Sequence, residues 1–216
     1  MISYTEEFCG AAAGAEILYR KSCGNGSGSR ENRGGSNAMQ WINSYSSPMG
    51  ELLLAADDVG LTGLWFAGQK YYAAHLEPAP QRAELPVFDR TKQWLDLYFS
   101  GQEPDFMPEL HLIGTPFQRA VWEILRQIPY GETTTYGAIA KRLAGQGKAG
   151  GKAAQAVGGA VGHNRISVIV PCHRVVGSNG SLTGYAGGIE KKIRLLRLER
   201  VDIGRYFVPE TEAGKL

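Results

Sequence analysis

The stretch from Val168 to Val176 limits the possible folds more than any other part of the chain. A short apolar, β-branched run, Val168-Ile169-Val170, leads directly into Pro171-Cys172-His173-Arg174. Such a run predicts a buried strand, and proline ends strand pairing because it has no N–H to donate. We therefore expect Cys172 to lie where a core strand ends.

Cys172 has two readings on these residues alone. The imidazole and guanidinium that follow it have the positive charge that favours a thiolate, and the thiolate is the nucleophilic form of cysteine. A buried structural cysteine is the alternative, because free cysteine is among the most buried residue types.

Composition excludes several classes of protein. The chain has 216 residues with 43% hydrophobic content, which suffices for one or two cores. Its three cysteines lack the paired spacing of zinc sites and disulfide frameworks. No apolar run approaches the roughly 20 residues of a membrane span, and the N-terminus lacks a secretory pattern. We expect a cytoplasmic protein whose cysteines form neither a zinc site nor disulfides.

Charge is divided unevenly along the chain. Residues 39–114 contain 4 Lys/Arg and 10 Asp/Glu, whereas residues 115–205 contain 14 Lys/Arg and 5 Asp/Glu. The net charges are therefore about −6 and about +9. A basic half favours a polyanionic partner such as nucleic acid, although a solvated basic face has the same composition.

Four segments are predicted. Residues 1–38 are rich in Gly and Ser and indicate a leader or linker. Ser36-Asn37-Ala38 resembles a remnant of recombinant expression, which makes Met39 the expected native start; a natural leader is the alternative. Residues 39–110 form a scaffold domain, 111–208 a second domain that contains the basic half and Cys172, and 209–216 a tail.

The scaffold domain has an α+β pattern. Strands are predicted at Trp41–Ser46, Glu51–Ala56 and Gly60–Phe66, and Phe88–Phe99 has helical periodicity. No catalytic constellation is evident in this segment.

The second domain is mainly helical. A helix begins at Thr115-Pro116 and ends before Pro129, and Thr133–Leu143 and Lys152–Val161 have the layout of a helix-turn-helix. A glycine-rich loop, Gly177–Gly188, precedes a last helix, Glu190–Arg200, whose Lys and Arg residues are expected to face outward. The many small residues of Lys152–Val161 permit close approach either to a partner or to a neighbouring helix.

Taken in order, these pieces resemble the O6-alkylguanine-DNA alkyltransferases, or methylated-DNA–protein-cysteine methyltransferases. The resemblance covers nearly all of the chain from Met39 to Phe207. Its motifs are Pro171–Val176, Ala156–Ala160, Gly184–Gly188, Tyr136, Asn164 and Glu199. It implies an α+β protein in which a small ribonuclease H-like α/β domain precedes a mainly helical domain with a helix-turn-helix.

The resemblance also implies the activity. Members bind the minor groove of double-stranded DNA, flip out an O6-alkylguanine and move its alkyl group to their own cysteine, once per molecule and without a cofactor. Flipping is required because chemistry on a base edge needs the base outside the stack. A monomer suffices. The range of alkyl groups and the acceptance of O4-alkylthymine are left open.

Individual roles follow from the same resemblance. Cys172 is the acceptor, His173 its general base through a water, and Glu199 the residue that orients His173. Tyr136 donates to the departing guanine, and Asn164 holds the active-site turn. The expected substrate and DNA contacts are Gln155, Ala156, Val157, Gly159, Arg174, Val175, Tyr185, Ala186 and Gly187. Arg174 has the alternative of bracing the turn.

One position departs from the family. Many members carry an arginine on the recognition helix that replaces the extruded base, and Gln155 stands at that position. Glutamine has neither the charge nor the guanidinium plane, so we expect weaker or slower action on DNA. The zinc ligands of some members have no counterpart.

Three rival functions remain at this stage. An alkyltransferase-like protein binds alkylated DNA but lacks the reactive cysteine that this chain has. A helix-turn-helix regulator explains the basic half but not Pro171–Arg174. A cysteine hydrolase could use Cys172, His173 and Glu199, although adjacent side chains point apart on an extended strand.

Overall fold

The N-terminal part of the protein is a small twisted sheet. The computed structural model describes residues 39–145, 147 and 153–210. The strands are β1 (Trp41–Ser47), β2 (Gly50–Ala56), β3 (Leu61–Phe66) and β4 (Gln81–Arg82), in the order β3-β2-β1-β4. Both neighbouring pairs among β1–β3 are antiparallel, and β4 runs parallel to β1. The first three lie within one residue of their predicted bounds; β4 is too short and exposed to leave a sequence pattern.

Helix α1 (Pro86–Phe99) packs against β1 and β2. Pro86 occupies its first turn, where the missing N–H costs nothing. Phe88, Leu95 and Tyr98 are fully buried at helical spacing. Gly101, with a φ of +81° that favours glycine, follows the last turn. This packing brings the end of α1 toward the second part of the chain.

The second part is mainly helical, as predicted. Helix α2 (Pro116–Leu125) begins with a capping box between Thr115 and Gln118. The next elements are β5 (Thr134–Thr135), α3 (Tyr136–Gly145), α4 (Ala153–Gly162), β6 (Val175–Val176) and α5 (Ile189–Leu198). The predicted helix Thr133–Leu143 therefore begins later than expected, because Thr134 and Thr135 pair in parallel with β6.

The strand predicted at Val168–Val170 is wrong. These residues are buried, but they form a turn with local hydrogen bonds, including Ile169 N to Ser167 O at 2.8 Å and Val170 N to Ile166 O at 3.0 Å. Val168 has a φ of +69°, which is strained for a β-branched residue. A buried apolar run has the same sequence pattern whether it forms a strand or a turn.

Helix α5 also differs from its prediction. It ends at Leu198 and not at Arg200, and Lys192 is buried together with Leu195 and Leu196. Lys192 therefore does not belong to the outward row of basic residues. Its Nζ donates to the carbonyls of Val175 (2.6 Å) and Thr183 (2.8 Å), which provides the partners that a buried charge requires.

One apolar core joins the two parts. It includes Phe66 from β3, Tyr98 from α1, Trp122 from α2 and Leu195 from α5. No helix in the described ranges is long and apolar enough to cross a membrane. The predictions for residues 1–38, for Lys152, for most of Gly145–Gly151 and for the last six residues fall outside the described residues.

Candidate active site

Asn164 organises the turn that presents Cys172. Its Nδ2 donates to Val170 O at 2.7 Å and to Ile166 O at 3.2 Å, and it lies 3.1 Å from Cys172 Sγ. Its Oδ1 accepts from Ile166 N at 3.0 Å. The buried side-chain amide of Asn164 thus hydrogen-bonds to backbone groups at both ends of the turn and contacts the thiol directly.

Cys172 is a buried thiol. It is 5% exposed and begins a short 3-10 turn that ends at Arg174. Burial raises the pKa of the thiol, while the hydrogen bond from Asn164 and the charge of Lys192 oppose that effect. The sequence-based expectation that His173 and Arg174 favour the thiolate is not met, because both side chains bind Glu199 instead. The thiol therefore needs a base to remove its proton.

His173 and Glu199 form a fully buried pair. His173 Nε2 lies 2.7 Å from Glu199 Oε1, and neither side chain is exposed. Burial raises the pKa of Glu199, but the hydrogen bonds of His173 and Arg174 and the charge of Arg174 hold it at about 2. Burial lowers the pKa of His173 despite its acidic partner. An ionised Glu199 fixes the Nε2–H tautomer, which leaves Nδ1 as the basic nitrogen.

Arg174 braces this pair, in line with the alternative stated for it above. Its Nε donates to Glu199 Oε2 at 2.8 Å, and its Nη2 donates to Oε1 at 2.9 Å. Its Nη1 donates to Ile128 O, in the loop after α2, at 2.6 Å. The bidentate geometry positions the carboxylate and its histidine partner.

Tyr98 belongs to the same cluster and was missed by sequence reasoning. Its hydroxyl donates to Glu199 Oε1 at 2.6 Å and lies 3.4 Å from His173 Nε2. The charge and hydrogen bond of Glu199 add to burial in raising the Tyr98 pKa. In the sequence Tyr98 looks like one more apolar-face residue of α1, and no local signal links it to a carboxylate 101 positions away.

Tyr136 reaches the glycine-rich loop from the start of α3. The pairing of β5 with β6 places it there, and its hydroxyl donates to Thr183 O at 3.2 Å. A β-carbon on Gly184 would lie 2.9 Å from that hydroxyl oxygen. Burial and the proximity of Cys172 raise the pKa of Tyr136 to about 12, so the hydroxyl remains a hydrogen-bond donor.

The loop after Thr183 is held close to the thiol. Lys192, a second residue that sequence reasoning missed, ties Thr183 O to Val175 O. Its position three residues after Ile189 and four before Leu196, on the apolar face of α5, was the available signal. Tyr185 is nearly buried, and its ring lies 6.3 Å from that of His173. Ala186 and Gly187 are half-buried beside it.

The residues of α4 that were predicted to contact DNA do not all lie on one exposed face. Gln155, Ala156 and Gly159 are exposed. Val157 is instead fully buried in the core, because the helical period turns it inward, and Val175 is likewise buried. A β-carbon added at Gly158 or Gly159 would meet nothing within 4 Å. The exposed small residues therefore leave one face of α4 open to a partner. On the other face Ala160 is buried, and its carbonyl accepts a hydrogen bond from Trp122 Nε1 of α2 at 2.9 Å.

Two segments of the chain match described families. Residues 42–112 match "6-O-methylguanine DNA methyltransferase, ribonuclease-like domain". Residues 116–201 match "6-O-methylguanine DNA methyltransferase, DNA binding domain". Together they cover most of the chain.

Two curated relatives carry the same name. The methylated-DNA–protein-cysteine methyltransferase of Mycobacterium leprae is 43% identical over 157 residues, covering 73% of this chain and 90% of the relative. The protein of the same name from Haemophilus influenzae is 42% identical over 161 residues, covering 73% and 84%.

Two solved structures of similarly named proteins are also similar to this chain. The crystal structure of Mycobacterium tuberculosis OGT in complex with DNA has a TM-score of 0.62 and 44% identity, covering 77% of this chain and 94% of that one. The O6-methylguanine-DNA methyltransferase of the archaeon Pyrococcus kodakaraensis has a TM-score of 0.55 and 26% identity, covering 76% and 100%.

Proposed function

This chain belongs to the O6-alkylguanine-DNA alkyltransferase family, and on that premise we propose that Cys172 accepts the alkyl group. The family repairs DNA by transferring an alkyl group to a cysteine of the protein, and DNA is the partner. We assign to this chain the full reaction on O6-alkylguanine, approached through the minor groove by a monomer and completed once per molecule.

The observation that carries the proposal is the buried hydrogen-bonded pair of His173 and Glu199, which we call the relay. Glu199 holds the Nε2–H of His173 at 2.7 Å, and His173 Nδ1 is buried without a hydrogen-bond partner among the described residues. A nitrogen in that state is suited to accept the thiol proton of Cys172 through a bridging water. Because burial lowers the pKa of His173, the imidazole is neutral and able to act as a base at pH 7.

The transfer itself is a displacement at carbon. Cys172 Sγ forms a bond to the alkyl carbon as the bond from that carbon to guanine O6 breaks. The electron pair of that bond remains on guanine, and the proton released by the thiol balances its charge. Tyr136, as a hydrogen-bond donor with a pKa of about 12, stabilises the departing guanine. The thioether product is not hydrolysed, so the protein is consumed.

Helices α3 and α4 serve as the DNA-binding unit. The exposed small residues of α4 (Ala156 and Gly159 among them) suit a groove that is only about 6 Å wide. Gln155, exposed on the same helix, occupies the gap left by the flipped base. The loop carrying Tyr185, Ala186 and Gly187 receives the extruded guanine next to Cys172.

Stoichiometry tests the proposal. A duplex containing one O6-methylguanine is mixed in excess with the protein, and the demethylated DNA is counted. We expect one repaired base per protein molecule, no further turnover, and no repair by Cys172→Ser. Steady multiple turnover, or repair by Cys172→Ser, would contradict the assignment, and steady hydrolysis of an activated ester would favour a cysteine hydrolase.

A further inference from the structure

A cleft that shares Gly159, Tyr185 and Ala186 with the proposed base site is lined by both parts of the chain. Its volume is about 390 Å³. One wall is the open end of α4, with Gly158 and Gly162, and another is the loop around Ala186. The third wall is Lys70-Tyr71, which follows β3. The scaffold segment therefore contributes directly to the surface around the site.

The third wall is fixed in place by two contacts. The backbone N–H of Lys70 donates to Ala186 O at 2.9 Å, and the ring of Tyr71 stacks on that of His163 with centroids 4.2 Å apart. His163 Nδ1 lies 2.7 Å from Gly159 O, on the helix that carries the expected DNA face. Lys70 and Tyr71 are thus held against α4 and against the loop that carries Ala186, which we call the base loop. The side chains of Lys70 and Tyr71 remain exposed.

The charge of the cleft favours an anion. Lys70 lines it, and none of its described lining residues is acidic. The Lys70 Nζ lies over the Tyr71 ring, 4.9 Å from its centroid.

The walls also leave room for a chain-like ligand. A β-carbon added at Gly158, Gly162 or Gly188 would meet nothing within 4 Å. Two walls of the cleft therefore expose backbone without bulky side chains, and the third carries the cation of Lys70. This combination suits the sugar-phosphate backbone of a nucleic-acid strand. Half or more of protein–DNA hydrogen bonds are made to that backbone.

We propose that this cleft binds a backbone phosphate of the damaged DNA strand, with Lys70 as its cation and the Tyr71–His163 stack as its floor. The inference rests on the proposed function in that the base loop must face DNA. It makes the scaffold segment part of the DNA interface and gives Lys70 a role in binding.

Salt-dependent binding of an undamaged duplex tests the proposal. In Lys70→Ala we expect affinity to fall about fivefold to tenfold at 0.1 M salt, and the slope of log affinity against log salt to decrease by about 1, as for one lost phosphate contact. Lys92→Ala is the matched control, because Lys92 pairs with Glu84 on the same segment outside the cleft. Equal slopes and affinities for parent, Lys70→Ala and Lys92→Ala would overturn the proposal.

A steric variant provides an independent test. Gly162→Leu fills the cleft from the α4 side, and its β-carbon enters open space, so the fold is preserved. We expect weaker DNA binding with an unchanged salt slope; affinity equal to that of the parent would count against the cleft. Methyl transfer to the parent protein from a duplex containing one O6-methylguanine, at saturating DNA, tests the proposed function separately. No transfer there would contradict the proposed function without affecting the test of the cleft, which uses an undamaged duplex.

Discussion

At the scale of single residues, Glu199 is the centre of the proposed chemistry. Its Oε1 accepts from Tyr98, His173 and Arg174, and its Oε2 accepts from Arg174. From the sequence, a family resemblance predicted the roles of Cys172, His173 and Glu199. It could not offer Tyr98, because the contact depends on how α1 packs against a distant segment.

Removal of the Tyr98 hydroxyl should alter the base, not only the fold. In Tyr98→Phe, Glu199 Oε1 loses one donor and binds the His173 N–H more strongly, which raises the pKa of His173. Because transfer needs neutral His173, the acid-side decline of the transfer rate should move to higher pH. We also expect a loss of ~2 kcal/mol in the free energy of unfolding, typical of a buried hydrogen bond to a charged group.

The matched control for that experiment is Tyr130→Phe. Tyr130 donates to the backbone carbonyl of Leu198 at 3.2 Å and makes no hydrogen bond to the relay. A pH–rate profile of Tyr98→Phe that superimposes on those of Tyr130→Phe and the parent would reduce Tyr98 to a structural residue.

Acid should weaken the fold through the same carboxylate. The pKa of Glu199 falls from an ordinary 4.5 to about 2 in the folded protein, a difference worth ~3 kcal/mol. That contribution is complete above pH 4.5 and is lost as the pH falls toward 2. In urea unfolding, the stability gap between parent and Glu199→Gln should therefore narrow between pH 4.5 and 3. A constant gap would show that the charge of Glu199 does not stabilise the fold.

At the scale of elements, the regular helices and strands followed their sequence patterns and the active-site turn did not. The three long strands and α1 have strong periodicity and came within about two residues of their bounds. The strand prediction at Val168–Val170 was wrong because these residues form a turn whose geometry depends on the side chain of Asn164. Hydrogen bonds of that kind leave no trace in hydrophobic periodicity.

Helix α4 carries the clearest prediction at this scale. Gln155 is exposed and lacks the charge and stacking plane of the arginine found in many family members. In Gln155→Arg we expect tighter binding of methylated duplex and faster transfer, as measured under single-turnover conditions. Gln155→Lys separates charge from stacking. A Gln155→Arg protein that is no faster and binds no tighter than the parent would contradict this account.

At the scale of the whole molecule, the N-terminal sheet supports the site directly. Leu64 N donates to Arg165 O and Ser167 N donates to Leu64 O, both at 2.8 Å. The edge of β3 thus holds the turn that leads to Cys172. The sequence predicted a separate scaffold, and the domain boundary at residue 110 stays a prediction; the shared core was not foreseen.

The shared core predicts a single unfolding event. Because one apolar cluster contains residues of β3, α1, α2 and α5, loss of either part exposes the other. Unfolding curves recorded by far-UV and near-UV circular dichroism should coincide in one transition. Two separated transitions would indicate that the parts are independent.

The identity of the acceptor atom is the central claim, and intact mass tests it most directly. The protein is incubated with a duplex containing one O6-methylguanine, and the whole protein and its Cys172 peptide are weighed. We predict a gain of one methyl group located on Cys172, with no second addition and none in Cys172→Ala. An unchanged mass despite tight binding, or a methyl group on another residue, would contradict the account.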